Sequence, residues 1–143
     1  MTEFSGKLIF DSWTASVPDV RGNAVDERHL IYEGDGVLLD LLLKPATQGA
    51  YLQIGGQVMP TDDTSQSVSH VPVVLDNGHG SERTLTNVLG EFSFQYAPSN
   101  GSFDISIVFR SRRFLVRGLG SNQPRNWQVT SETEETITSG GVR

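Results

Sequence analysis

Apolar and polar residues alternate with a period of two over short runs of this chain, and Gly, Pro, Asn or Asp separates one run from the next. Successive side chains of an extended backbone point to opposite sides, so this is the pattern of strands joined by turns. It predicts strands over residues 7–13, 28–33, 37–44, 51–59, 71–76, 82–86, 91–96, 102–109 and 113–118. One face of these strands supplies a candidate core: Leu30 and Tyr32, then Phe92, Phe94 and Tyr96, then Phe103, Ile105, Ile107 and Phe109, then Phe114 and Val116. Glu33-Gly34-Asp35-Gly36 and Asn77-Gly78 are turn sequences, because Gly, Asn and Asp tolerate the positive φ that a tight hairpin requires. Gly55-Gly56 within a strand predicts a bulge or a close backbone approach.

The run Val37-Leu38-Leu39-Asp40-Leu41-Leu42-Leu43 departs from strict alternation. Leucine favours helix, but Gly36 and Pro45 bracket only eight residues, which suits a strand. A strand apolar on almost both faces is buried on both sides or covers a partner, and Leu39, Leu41 and Leu43 are candidate partner contacts on that ground. Residues 16–27 and 60–70 are polar and read as loops. Beyond Leu119 the apolar content falls, so residues 120–143 are expected to form a flexible tail, with too little apolar surface to offset ordering. Trp127 in that tail either docks back or meets a partner. The expected organisation is all-β: one sandwich domain over residues 1–119, with a core at 51–119 and a β-rich N-terminal extension at 4–46.

Three segments, Ile54-Gly55-Gly56-Gln57-Val58, Val71-Pro72-Val73-Val74-Leu75 and Thr86-Asn87-Val88-Leu89-Gly90-Glu91-Phe92-Ser93-Phe94, carry a resemblance. Residues 52–118 resemble the carboxypeptidase regulatory-like domain, a transthyretin-like (prealbumin-like) sandwich. Asn87 replaces the usual Asp of its turn motif, and Ser99-Asn100-Gly101-Ser102-Phe103 matches its second turn more loosely. The resemblance implies an antiparallel Greek-key β-sandwich and a non-catalytic module that packs on partners, on other domains or on glycans. Lys7–Ser12 and His29–Glu33 look similar to small bacterial cytosolic proteins of signalling gene clusters, which implies a place in a signalling or regulatory complex.

With 143 residues and no cysteine, the chain can bury a core but cannot build disulfides, thiolate zinc sites or iron–sulfur clusters. A net charge of −6 argues against nucleic-acid binding, which requires clustered cations. No basic, apolar leader follows Met1 and no apolar run spans a bilayer, so a cytoplasmic protein without membrane contact is expected. Charge is uneven. Residues 1–46 carry four cations against eight acids, a sum of −4, whereas residues 83–117 carry five arginines against Glu91 and Asp104, a sum of +3. Arg110, Arg112, Arg113 and Arg117 fall close together. They either solvate and guard an edge hairpin or bind an anionic or acidic partner.

Catalytic patterns are missing. His29, His70 and His79 stand in no metal-ligand spacing, and no Gly-x-Ser-x-Gly elbow occurs. The carboxylate pairs Asp26-Glu27, Asp62-Asp63 and Glu134-Glu135 are neighbours in sequence, which on a strand would face opposite ways. No cofactor and no metal are expected. The reading is a non-enzymatic interaction module with a protein partner, or with a second copy of itself, using Leu39, Leu41, Leu43 and the four arginines. The alternative is a carbohydrate-binding sandwich, which would need exposed aromatics among Trp13, Tyr51, Tyr96 and Trp127. An enzyme would need a histidine beside a carboxylate or serine in a cleft.

Overall fold

The computed structural model describes residues 2–14, 27–45, 51–61, 67–97 and 101–120. Ten strands follow one another: β1 (Thr2–Ser5), β2 (Lys7–Asp11), β3 (Arg28–Gly34), β4 (Val37–Pro45), β5 (Leu52–Pro60), β6 (Pro72–Asp76), β7 (Ser81–Leu85), β8 (Glu91–Tyr96), β9 (Phe103–Val108) and β10 (Arg112–Leu119). They form two five-stranded sheets, ordered β1-β10-β9-β6-β7 and β2-β3-β4-β5-β8, which we call the first and the second sheet. The molecule is therefore an all-β sandwich. All neighbouring strands are antiparallel except β1 and β10, which are parallel.

Alternation along each strand builds the core. Val37, Leu39, Leu41 and Leu43 of β4 are buried between the sheets with Leu30, Ile54, Phe92, Phe94, Phe103, Ile105, Ile107 and Phe114, and each such side chain contributes about 1.5–3 kcal/mol through burial. Strands on both sides of residue 51 share this one core cluster. The β3–β4 hairpin closes through Asp35 and Gly36, with φ of 50° and 81°. Positive φ at both central residues is the two-residue turn whose twist matches that of the strands.

The chain passes between sheets at both sides of the sandwich. Gly6 joins β1 to β2. A Cβ there would lie 2.6 Å from the Phe114 ring, so only glycine lets the chain cross over the core. Its N–H donates to the Leu115 carbonyl (2.9 Å). On the other side, residues 86–90 join β7 to β8. The buried Thr86 hydroxyl accepts from the Val71 N–H (2.8 Å) and donates to the Val68 carbonyl (2.6 Å). The Asn87 side-chain oxygen accepts from the Leu89 and Glu91 amides, both at 2.9 Å, and Gly90 takes φ of 82°.

Three details differ from expectation. β1 is an added strand, too short and polar to read from sequence, and it is held by β10 and by Phe4 edge-on to Phe114. The first expected strand ends at Asp11, whose carboxylate accepts the Trp13 N–H (3.1 Å) and turns the chain. β5 pairs with β4 and β8 without a register shift, so Gly55-Gly56 makes no bulge. Of the two expected alternatives it is the close approach that occurs: the Phe92 ring lies against Gly56 and would be 2.3 Å from a Cβ there. The expected tail at 120–143 with Trp127, apart from Gly120, and the three carboxylate pairs, apart from Glu27, lie outside the described residues.

Candidate interaction surface

Leu39, Leu41 and Leu43 are 0, 0 and 1% exposed. They face the interior and offer no contact surface, so their expected partner role is corrected to a core role. The outward positions of β4 are Leu38, Asp40, Leu42 and Lys44, set one residue out of phase. Register carries this face across the second sheet: Leu42 pairs with His29 and Gly55, Asp40 with Ile31 and Gln57, and Leu38 with Glu33 and Met59.

The edge strand β2 extends the face. Its register shifts between Leu8 and Phe10. A bulge breaks alternation and leaves consecutive side chains uncovered, and here Leu8, Ile9 and Phe10 are 44, 48 and 39% exposed. Phe10 packs edge-on against the His29 ring at 5.4 Å, and His29 Nε2 lies 2.6 Å from an Asp40 carboxylate oxygen. With Leu42, 37% exposed, Ile9 and Phe10 form an apolar strip with the His29–Asp40 polar pair inside it. Sequence reading missed Ile9, Phe10 and Leu42. The run Leu8-Ile9-Phe10 was visible, but only the bulge removes the core-facing assignment that alternation gives to half of it.

The arginines divide. Arg112 ion-pairs with Asp35 of the β3–β4 turn, and its guanidinium lies 5.4 Å from the Phe4 ring centre and 5.7 Å from that of Phe109. Arg113 donates to Glu3 on β1 (3.1 Å). Arg112 and Arg113 thus stitch β10 to neighbouring elements of this chain, while Arg110 and Arg117 are exposed. The four do not form one open cationic patch.

Asp11 and Arg28 form a buried pair at the other end of β2 (2.7 Å), and the Arg28 guanidinium stacks on Trp13 at 4.2 Å. Burial raises the Asp11 pKa, but hydrogen bonds from Arg28 and the Trp13 N–H, with the Arg28 charge, outweigh it and hold the carboxyl below its ordinary value.

The histidines do not converge. His29 lies on the outer face of the second sheet, and His70 and His79 flank opposite ends of β6. His70 Nδ1 lies 2.8 Å from its neighbour's Ser69 hydroxyl. The Ser12 hydroxyl accepts the His29 backbone N–H and not a ring nitrogen. Among the described residues no group of three or more His, Cys, Asp or Glu is placed to hold a metal ion, and no helix is long and apolar enough to cross a membrane.

Of the expected aromatic platform, Trp13 is half-buried with its Nε1–H donated to the Glu27 carbonyl (3.0 Å), and Tyr96 is buried with its hydroxyl donated to the Gly101 carbonyl (3.0 Å). Among the described members of the platform, Tyr51 alone is openly exposed, at 50%; Trp127 lies outside the described residues. Tyr51 and Tyr96 line a common cleft of about 410 Å³.

Fold and surface together define a class: a two-sheet β-sandwich with an apolar strip on the outside of one sheet. Comparison of the chain with known protein families, curated proteins and solved structures found no match.

Proposed function

We propose that this protein is a non-catalytic interaction module that docks a partner protein on the outer face of its second sheet. The observation that carries the reading is the exposed strip Ile9, Phe10 and Leu42, which no part of the described chain covers. Apolar surface rimmed by polar groups commonly marks a protein contact. Lys7, Glu33, Lys44 and Gln53 supply such a rim. The His29–Asp40 pair within the strip gives a partner one polar feature to match, which favours specific over indiscriminate contact.

The wider frame is part of the proposal: a cytoplasmic module of the carboxypeptidase regulatory-like, transthyretin-like kind, serving a signalling or regulatory complex. Its support is the placement of the motif residues. Gly56 lies under Phe92, and Asn87 and Gly90 build the turn into β8.

The test is a photo-crosslinking amino acid placed at Ile9 or at Leu42 in the native host, with exposed Arg83 on β7 of the first sheet as control. The expected result is a discrete protein adduct from the first two positions and none from the third. An adduct at twice the chain mass identifies the partner as a second copy. Labelling that is equal at all three positions, or absent from all, overturns the assignment.

A further inference from the structure

The two sides of the sandwich are closed differently. At the β1–β2 side, Phe114 and Tyr32 fill the space around Gly6, and Phe4 packs edge-on against Phe114. At the other side, β7 and β8 are edge strands of opposite sheets. The positions of β7 that pair with buried Leu75 and Val73 are Glu82 and Thr84, polar where the core would take apolar residues. The sheets are therefore not sealed along this edge. A cleft opens between the start of β7 and the end of β8, lined by Tyr51, Asn77, Ser81, Glu82, Gln95 and Tyr96 over a floor that includes Leu75. Its volume, about 410 Å³, lies in the range of small-molecule sites.

We propose that this cleft binds a short neutral saccharide. The chemistry of its walls selects that class. Tyr51 presents a half-exposed aromatic face, against which the apolar C–H face of a sugar ring can pack. The remaining walls supply a carboxylate acceptor at Glu82, a donor and acceptor amide at Gln95, and the Ser81 hydroxyl. Hydrogen bonds within the described structure leave the Glu82 and Gln95 side chains unused. Asn77 and Tyr96, by contrast, are already engaged and give the cleft a set shape: the Asn77 oxygen accepts the His79 and Gly80 amides at 2.8 and 2.9 Å. Burial raises the Tyr96 pKa above its ordinary value, and the hydroxyl donates to the Gly101 carbonyl (3.0 Å). An apolar wall with a few separated, unsatisfied polar groups is the composition of a ligand site. The one charged group is anionic, so phosphorylated or sulfated ligands are repelled, and the larger share of neutral donors and acceptors favours a polyol over a cation.

The cleft shares only Gln95 with the outer face of the second sheet, at the edge opposite the strip Ile9, Phe10 and Leu42, so its test is read apart from the docking assignment. Isotope-labelled full chain is titrated with maltohexaose, cellohexaose and chitohexaose to millimolar concentration, with free lysine and arginine as cationic probes, and amide shifts are followed by NMR. At least one oligosaccharide should produce saturable shifts at Tyr51, Ser81, Glu82, Gln95 and Tyr96. Tyr51→Ala and Gln95→Ala, both at exposed positions, should each weaken that binding tenfold or more while leaving Tm unchanged. No saturable shift with any of the three sugars overturns the proposal. So does binding that survives Tyr51→Ala, or a response to the cationic probes alone.

Discussion

The Asp11–Arg28 pair shows how one residue decides the path of the chain. Its carboxylate takes two bonds from the Arg28 guanidinium, at 3.1 and 2.7 Å, and one from the Trp13 N–H. Removing one partner of a buried pair strands the other charge, so Asp11→Asn should lower stability by about 3 kcal/mol in chemical denaturation at neutral pH. The sign of the pH effect follows from the lowered pKa. The contribution is complete above the ordinary value of 3.8 and is lost as pH falls through the lower folded value. The gap between wild type and variant should therefore be constant near neutrality and close below that value. Two glycines form a second residue-scale contrast. Gly78 and Gly90 both have positive φ, but a Cβ at Gly78 meets open space and one at Gly90 lies 2.4 Å from the Val58 carbonyl oxygen. Gly78→Ala should cost about 1 kcal/mol, from backbone strain alone. Gly90→Ala should cost more than twice as much by the same denaturation measurement, because it also displaces the carbonyl beside the Val58 amide, whose N–H donates to the Gly90 carbonyl (2.9 Å).

Strand β4 sets the scale of the element. Its leucines look alike in sequence, yet Leu41 is enclosed and Leu42 is on the outer face. Leu41→Ala should cost about 3 kcal/mol, the usual range for a core cavity being roughly 2–5. Leu42→Ala should cost under about 1 kcal/mol and should weaken partner capture if the outer face is the docking surface. Urea midpoints for the two variants, read beside crosslinking yield, separate the roles. The element boundaries were largely legible. The strand expected at 91–96 coincides with β8, and β4 and β6 lie within one residue of expectation at each end. In β8 the alternation is unbroken, and Gly, Pro or Asn bounds all three strands (Gly36 and Pro45, Pro72 and Asn77, Gly90), so local chemistry suffices there. β1 was not legible, because four mostly polar residues become a strand only when β10 is there to pair with them.

At the scale of the molecule, the two halves of the chain cannot be treated as core and appendage. Leu30, Val37, Leu39, Leu41 and Leu43 come from the first 45 residues and belong to the same cluster as Ile54, Phe94 and Ile107. Five such side chains carry about 8–15 kcal/mol of burial energy, comparable to the whole stability of a domain, about 5–15 kcal/mol. A fragment comprising residues 51–120 should therefore be unfolded by circular dichroism and NMR, and the full chain should unfold in a single transition seen alike by both probes. A folded fragment would show that β5–β10 close a core without β3 and β4.

The sequence by itself determined the class of fold, the turns at Asp35-Gly36 and Asn77-Gly78, and which residues share a face, since period and turn chemistry are local properties of the backbone. Only the tertiary structure decided which face is inside. Leu39, Leu41 and Leu43 read equally well as contact or core until the first sheet lies over them. The arginine cluster was open in the same way until Asp35 and Glu3 came within reach of Arg112 and Arg113 from residues 77 and 110 positions away. The exposed strip depends on the β2 bulge, and the side cleft on β7 and β8 standing as edges of opposite sheets; that strand order is set by pairings between distant segments that no local pattern encodes.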